Sequence, residues 1–226
     1  MRQIEDDMEI ISAIADVKEK RIADVGCGAG DLVRKLIGSG ANVTGIDTAE
    51  WIEKAKTFPP AGNETYLEGG GENLSFPDNS LDMVIFFASF HHVPESMLDR
   101  AIVETYRVLK PGGRAIFLEP VARDGSYTEL IRMVEDEGHI QELAYDAIGR
   151  ASRIGFKPGS EEMIYFARSL EDFRNLVGKY VEDEEKRPGY IARAEEIATG
   201  LSREAGMDSE AFVFKSICRL NVFLKR

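Results

Sequence analysis

The chain has 226 residues, of which 43% are apolar and 30% charged, and its 40 acidic against 28 basic side chains give a formal net charge of −12. That length suits one large domain with a sizeable core, and the composition is that of an ordinary soluble globular protein. A duplex-binding surface needs clustered lysine and arginine to displace counterions, so scattered, outnumbered basic residues argue against a nucleic-acid partner. No apolar run approaches the roughly 20 residues of a membrane span. The N-terminal MRQIEDDMEI is acidic and unlike a signal peptide, so no membrane partner is expected and the expected location is cytoplasmic. Cys27 and Cys218 are too few for a disulfide framework.

In the first segment Ile4, Met8, Ile11, Ile14 and Val17 share one stripe at helical spacing, which predicts an amphipathic helix within residues 1–20. IADV follows as a short buried strand and runs into the glycine turn of DVGCGAG. DLVRKLIGSG is a helix stopped by Gly38 and Gly40, and ANVTGID a second strand ending in an acid. TAEWIEKAKTF is a helix with Thr48 at its N-cap, halted before Pro59 and Pro60. TYLEG is a third strand, GGENLSFPDNS a loop, and LDMVIFFASF a strongly apolar fourth strand with His91 and His92 just past its end. Pro94 opens the helix PESMLDRAIVETYRVLK, Pro111-Gly112-Gly113 closes it, and RAIFLEP is a fifth strand. The alternation of helices with strands too apolar to face water predicts an α/β fold with a mainly parallel sheet covered on both sides.

After Pro120 the texture is charged and mostly helical. Ser169 with Asp172 resembles a capping box, and MIYF is a candidate short strand. The second half of FVFKSICRLNVFLKR alternates Cys218, Leu220, Val222 and Leu224 against Arg219, Asn221 and Phe223, as a strand returning to the sheet does. The expected organisation is a single domain over 1–226: an N-terminal helix (1–20), a cofactor-binding core (21–120), a helical insertion or lid (121–206) and a C-terminal sheet strand (207–226).

The glycine turn decides what the core binds. A dinucleotide fingerprint needs a third glycine where Asp31 stands, and a P-loop needs Lys-Ser or Lys-Thr after the turn; neither is present. A pyrophosphate would also meet Asp24 and Asp31 on either side of the turn. Acids there suit a ligand with cationic groups.

DVGCGAG, GID, HHVP and VLKPGG at these distances resemble the motifs of class I S-adenosylmethionine-dependent methyltransferases of the small-molecule type, over roughly Arg21 to Pro120. The resemblance implies a Rossmann-like, doubly wound sheet of the seven-stranded type, with S-adenosyl-L-methionine as cofactor and a small-molecule acceptor. It implies that Gly26, Gly28 and Gly30 pass under the methionine part, with Cys27 among them. Asp47 would bind both ribose hydroxyls, and Asp24 would support the loop or the cofactor's amino group. Thr48, Gly71, Glu72, Asn73 and Phe87 complete the expected cofactor contacts. The acid that usually holds the adenine amine is replaced by Gly70, so Glu72, Asn73 or backbone groups take its place. Trp51 is a candidate shield for the adenine edge.

His91 and His92 are the candidate catalytic bases, because imidazole takes a proton near neutral pH. The alternative is that one ring bonds the strand end. No His/Asp/Glu spacing of ligand type is apparent, so no metal is expected. Phe87-Ala88-Ser89-Phe90 is not the motif of amino-methylating DNA enzymes of this fold, and two cysteines do not supply the thiols of arsenite methylation. The lid's aromatics, Tyr127, Tyr145, Tyr165, Phe166, Phe173, Tyr180 and Tyr190, suggest an apolar or planar acceptor. A non-catalytic binder of the same cofactor, or another enzyme using it on this scaffold, is the alternative reading. The oligomeric state, monomer or homodimer, is left open.

Overall fold

The structure, a computed structural model, describes residues 1–205 and 212–226. The expected boundary at 206/207 lies outside the described residues. In chain order the strands are β1 (Arg2–Ile4), β2 (Arg21–Val25), β3 (Asn42–Asp47), β4 (Thr65–Glu68), β5 (Leu81–Phe87), β6 (Leu109–Pro120), β7 (Phe156–Arg168) and β8 (Phe214–Lys225). The helices are α1 (Asp7–Ile14), α2 (Asp31–Gly38), α3 (Ala49–Ala55), α4 (Leu98–Val108), α5 (Ser126–Val134), α6 (Gly138–Gly149), α7 (Ala151–Ile154), α8 (Leu170–Tyr180) and α9 (Arg187–Ala205).

The strands form one sheet in the order β1-β7-β8-β6-β5-β2-β3-β4, parallel except where β8 pairs with β6 and β7. Alternation along β5 sends Met83 and Ile85 to one face and Val84 and Phe86 to the other. The first face is covered by α1, α2 and α3 through Ile10, Ile11, Leu32, Val33, Leu36 and Ile52. On the second face lie α4, α6 and α7, through Leu98, Ile102, Ala147, Ile148 and Ala151. β2 lies between β3 and β5, so the chain leaves its two sides in opposite directions and opens a crevice at the strands' carboxyl ends.

Three expectations change. The N-terminal helix of 1–20 is shorter: Arg2–Ile4 pairs in parallel with Ile164–Phe166 and adds an eighth strand to the expected seven-stranded type. α1 starts only at Asp7, because the Asp6 carboxylate accepts from the Met8 amide at 2.8 Å and Glu9 closes a capping box. MIYF is the inner part of a thirteen-residue strand, so the segment 121–206 is not wholly helical. The first half of β7 hid because Lys157–Glu161 are exposed and a register shift falls between Pro158 and Ser160, where a bulge tolerates proline. Finally, α6 and α7 belong to the sheet's own cover. Only α5, α8 and α9 build the cap, around Tyr127, Leu130, Phe173, Val177, Ala194, Ala198 and Phe214.

Candidate active site

At the crevice the chain turns sharply. Gly26, Gly28 and Gly30 all take positive φ, at 75°, 54° and 79°, which side chains disfavour. A Cβ at Gly26 would also collide with Ser89, so strand end and turn approach too closely for a larger residue. The loop is tied to β3: the Gly26 and Cys27 amides donate to the Ile46 carbonyl, at 2.7 and 3.1 Å. The Gly28 amide donates to Asp47 Oδ2 at 2.7 Å, and the Thr48 amide to Asp47 Oδ1 at 2.7 Å. Each carboxylate oxygen keeps a lone pair for a further donor. Thr48 occupies the N-cap position of α3 without a side-chain cap bond, and its amide donates to Asp47.

Asp24 is 2% exposed, and its Oδ1 has no hydrogen-bond partner. Burial first, and then the charges of Asp47 and Asp7, push its carboxyl up to about 7. The Cys27 thiol is pushed up as well, chiefly by burial and then by Asp24 and Asp47, so it is an inert packing group.

Beyond β5, Ala88 adopts φ 50° and turns the chain away from the sheet. Ser89 Oγ then donates to the Val25 carbonyl at 2.6 Å. The Ser89, Phe90 and His91 amides donate to the carboxylate of Glu119, at 3.1, 2.8 and 3.4 Å. Glu119 also lies 2.5 Å from His91 Nδ1. Burial alone would lower the His91 pKa, but Glu119 and Glu137 overcome it and raise the ring to about 9. His91 is therefore protonated at neutral pH and, through Glu119, bonds the end of β6, as the alternative reading of the pair has it. The His92 ring is held below its ordinary value first by desolvation against the site wall and then by the His91 charge, although its side chain stays more than half exposed.

Three neighbouring cavities lie along the crevice. One of about 420 Å³ is lined by Val25, Glu68, Gly69, Gly70, Gly71, Glu72, Phe86 and Pro94. The next, about 560 Å³, lies at the glycine loop against Asp24, Cys27, Gly28, Trp51, Phe87 and Lys179. The two share Gly26, Asp47, Thr48, Ser89 and His92. A third, about 280 Å³, lies under the cap and includes Ile131, Val134, Leu176, Glu135, Glu137 and both histidines. His92 lines all three.

Of the expected contacts, Asp24, Gly26, Cys27, Gly28, Asp47, Thr48, Gly71, Glu72 and Phe87 line the first two cavities. Gly30 shapes the turn through its amide to the Cys27 carbonyl at 2.9 Å. Asn73 is exposed and lines neither. Glu72, in contrast, folds its carboxylate over Gly70, into the space a side chain there would fill. Trp51 flanks the glycine loop rather than the Glu72 side, with the Lys54 and Lys179 ammonium groups 4.5 and 4.8 Å from its ring centroid. Among the cap aromatics only Tyr180 lines these cavities; Tyr127 and Phe173 are core of the cap, and Tyr165 bonds Gln3 at the sheet edge. Glu119 and Glu137 were missed. A charge ending the apolar run RAIFLEP was the available signal for Glu119; nothing local marks Glu137.

Residues 23–117, from β2 into β6, match the family model of a methyltransferase domain. The chain is 28% identical over 115 residues to an uncharacterised methyltransferase of Geobacillus kaustophilus, covering 51% of this chain and 54% of that one. It is 33% identical over 110 residues to the ubiquinone/menaquinone biosynthesis C-methyltransferase UbiE of Psychromonas ingrahamii, covering 45% of this chain and 43% of that one. The chain thus spans about half the length of the curated relatives it matches. Over 96% of both chains it superposes on an S-adenosylmethionine-dependent methyltransferase of Methanosarcina mazei, with a TM-score of 0.59 at 19% identity. The glycine loop and its strand ends are therefore similar to a methyltransferase domain, carried on the fold of S-adenosylmethionine-dependent methyltransferases.

Proposed function

We propose that this protein transfers a methyl group from S-adenosylmethionine to a small molecule held under the cap. The observation that carries the reading is Asp24: a fully buried carboxyl with an unpartnered oxygen, beside the glycine loop that lines the second cavity. An unpaired buried polar atom is costly, and a cationic ligand offsets that cost. The cofactor's ammonium and sulfonium are such groups, and Asp7, Asp31 and Asp47 line the same cavity.

In this reading Asp47 accepts both ribose hydroxyls on its free lone pairs, Glu72 accepts the adenine amine in place of a residue at 70, and Gly71 with Phe86 walls the base. When bound, S-adenosylmethionine supplies a methyl group on a sulfonium, open to in-line displacement. The chain's own contribution is to orient the acceptor and exclude water, which is worth several kcal/mol. No base is required where the acceptor is already nucleophilic. The cap cavity joins apolar Ile131, Val134 and Leu176 to the acids Glu135 and Glu137, so it suits a neutral or cationic acceptor with an apolar body rather than an anion.

Calorimetric titration with S-adenosylmethionine and its demethylated product tests the reading. Micromolar binding by the wild type that disappears in Asp47→Ala supports it, and absence of binding by folded wild type overturns it. Conversion to the demethylated product only in the presence of an acceptor then separates an enzyme from a binder.

A further inference from the structure

The acceptor cavity carries three ligand-type side chains that the cofactor reading does not use. His91, His92 and Glu137 bring ring nitrogens and a carboxylate oxygen within 4.8 Å of one another. His91 Nε2 stands 3.6 Å from Glu137 Oε2, and His92 Nε2 stands 3.8 Å from Glu137 Oε1. Both separations exceed hydrogen-bond length. Donors about 2.1 Å from one tetrahedral centre sit roughly 3.4 Å apart, so a small inward shift of the two rings and the carboxylate brings both nitrogens and a Glu137 oxygen onto a common ion.

The orientation is set from outside. Glu119 accepts from His91 Nδ1, which leaves Nε2 as the atom directed toward Glu137; this is the carboxylate–histidine arrangement that supports metal ligands. Three backbone amides fix Glu119, and Gln141 Nε2 donates to Glu137 Oε2 at 3.3 Å. The ligands come from two places, the turn after β5 and the residue preceding α6, so an ion would also pin α6 to the sheet. All three side chains line the 280 Å³ cavity.

We propose that His91 Nε2, His92 Nε2 and the Glu137 carboxylate chelate a divalent transition ion of the zinc type, with its remaining coordination position open to the acceptor cavity. Two imidazoles and one carboxylate form a donor set that favours Zn²⁺, Co²⁺ or Fe²⁺ over Mg²⁺ and Ca²⁺. Three protein ligands leave a fourth position for an oxygen or nitrogen of the acceptor. His92 is then a ligand and not a base. The ion rests on this geometry alone; only its role toward an acceptor rests on the methyl-transfer reading.

The test uses the full chain without an affinity tag, stripped with chelator and dialysed. Titration with Co²⁺ is followed by visible absorption, and with Zn²⁺ by calorimetry. The expected result is one ion per chain at micromolar affinity, with the intense bands of four- or five-coordinate Co²⁺. Glu137→Gln and His92→Gln should each weaken binding by more than about 100-fold, since loss of an outer-shell partner already costs 10 to 100-fold. His139→Gln should leave it unchanged. Stripped wild type that is folded by circular dichroism yet binds neither ion overturns the proposal, as does binding that neither ligand variant weakens. Titration of the stripped protein with the demethylated cofactor reports separately on the cofactor site, so the two readings fail independently.

Discussion

Asp47 at the end of β3 accepts the Gly28 amide on one carboxylate oxygen and the Thr48 amide on the other, each at 2.7 Å. One side chain thus holds the glycine loop against the strand end and faces both upper cavities. Asp47→Ala removes the loop's anchor together with the two acceptors proposed for the ribose. Because hydrogen bonds to a charged group contribute about 1.5–3 kcal/mol each, affinity for the demethylated cofactor should fall at least about 100-fold. Asp47→Asn, which keeps one acceptor oxygen, should fall between. Calorimetry on both variants, with thermal melts as a control for folding, checks the order.

Asp24 predicts a pH dependence. Its carboxyl is raised to about 7 from an ordinary 3.8, so between those values the folded chain keeps a proton that the unfolded chain has lost. Stability of the ligand-free protein therefore falls as pH rises through that window, by up to about 4 kcal/mol from this group. Asp24→Asn removes the dependence. It should be more stable than the wild type at about pH 8 and equal to it near about pH 4, while binding cofactor more weakly. Ligand-free melts across pH decide this; equal stability at both ends would show that Asp24 does not carry the burial cost.

Glu72 lies over Gly70 and lines the Glu68 side of the crevice. Glu72→Ala should weaken binding of the demethylated cofactor by about 10-fold, the worth of one hydrogen bond to a charged group. Gly70→Asp added to Glu72→Ala should restore it, whereas Gly70→Asp alone should not, because the Glu72 carboxylate already occupies the space. Titrations of the three variants test that pattern.

Phe173 is fully buried in the cap's own cluster with Tyr127, Val177 and Phe214. Phe173→Ala should cost the cap about 3–5 kcal/mol. α8, which presents Leu176 and Tyr180 to the 280 Å³ cavity, would lose its seat. Acceptor turnover should collapse, while affinity for the demethylated cofactor falls far less, because Asp24, Asp47 and Glu72 lie outside that cluster although α8 also lends Lys179 and Tyr180 to the second cavity. Paired binding and turnover assays distinguish this from general unfolding.

The core from β2 to β6 was legible because its signals are local. Apolar runs mark IADV and LDMVIFF, and glycines mark the turn after β2, where Gly26, Gly28 and Gly30 all take positive φ. Asp47 was legible because a strand that ends in an acid at a crevice has few other uses. β1 was not, since three residues form a strand only by pairing with Ile164–Phe166, far along the chain. The exposed half of β7 was hidden for a related reason: its backbone bonds to β8 do the ordering, and its side chains face solvent.

The roles of the two histidines divide the same way. HHVP marks a pair of imidazoles after β5, and by residue type alone the two are equivalent. Glu119 from the end of β6 buries one ring and keeps its proton on; Glu137, from before α6, stands opposite both. Periodicity and glycine spacing determined strands β2 to β6 and the loop, because those depend on neighbours in the chain. Which histidine is charged, which helices form the cap, and how Glu72 comes to fill the space at Gly70 were decided only in three dimensions. Burial and charge proximity depend on groups that the sequence places dozens of residues apart.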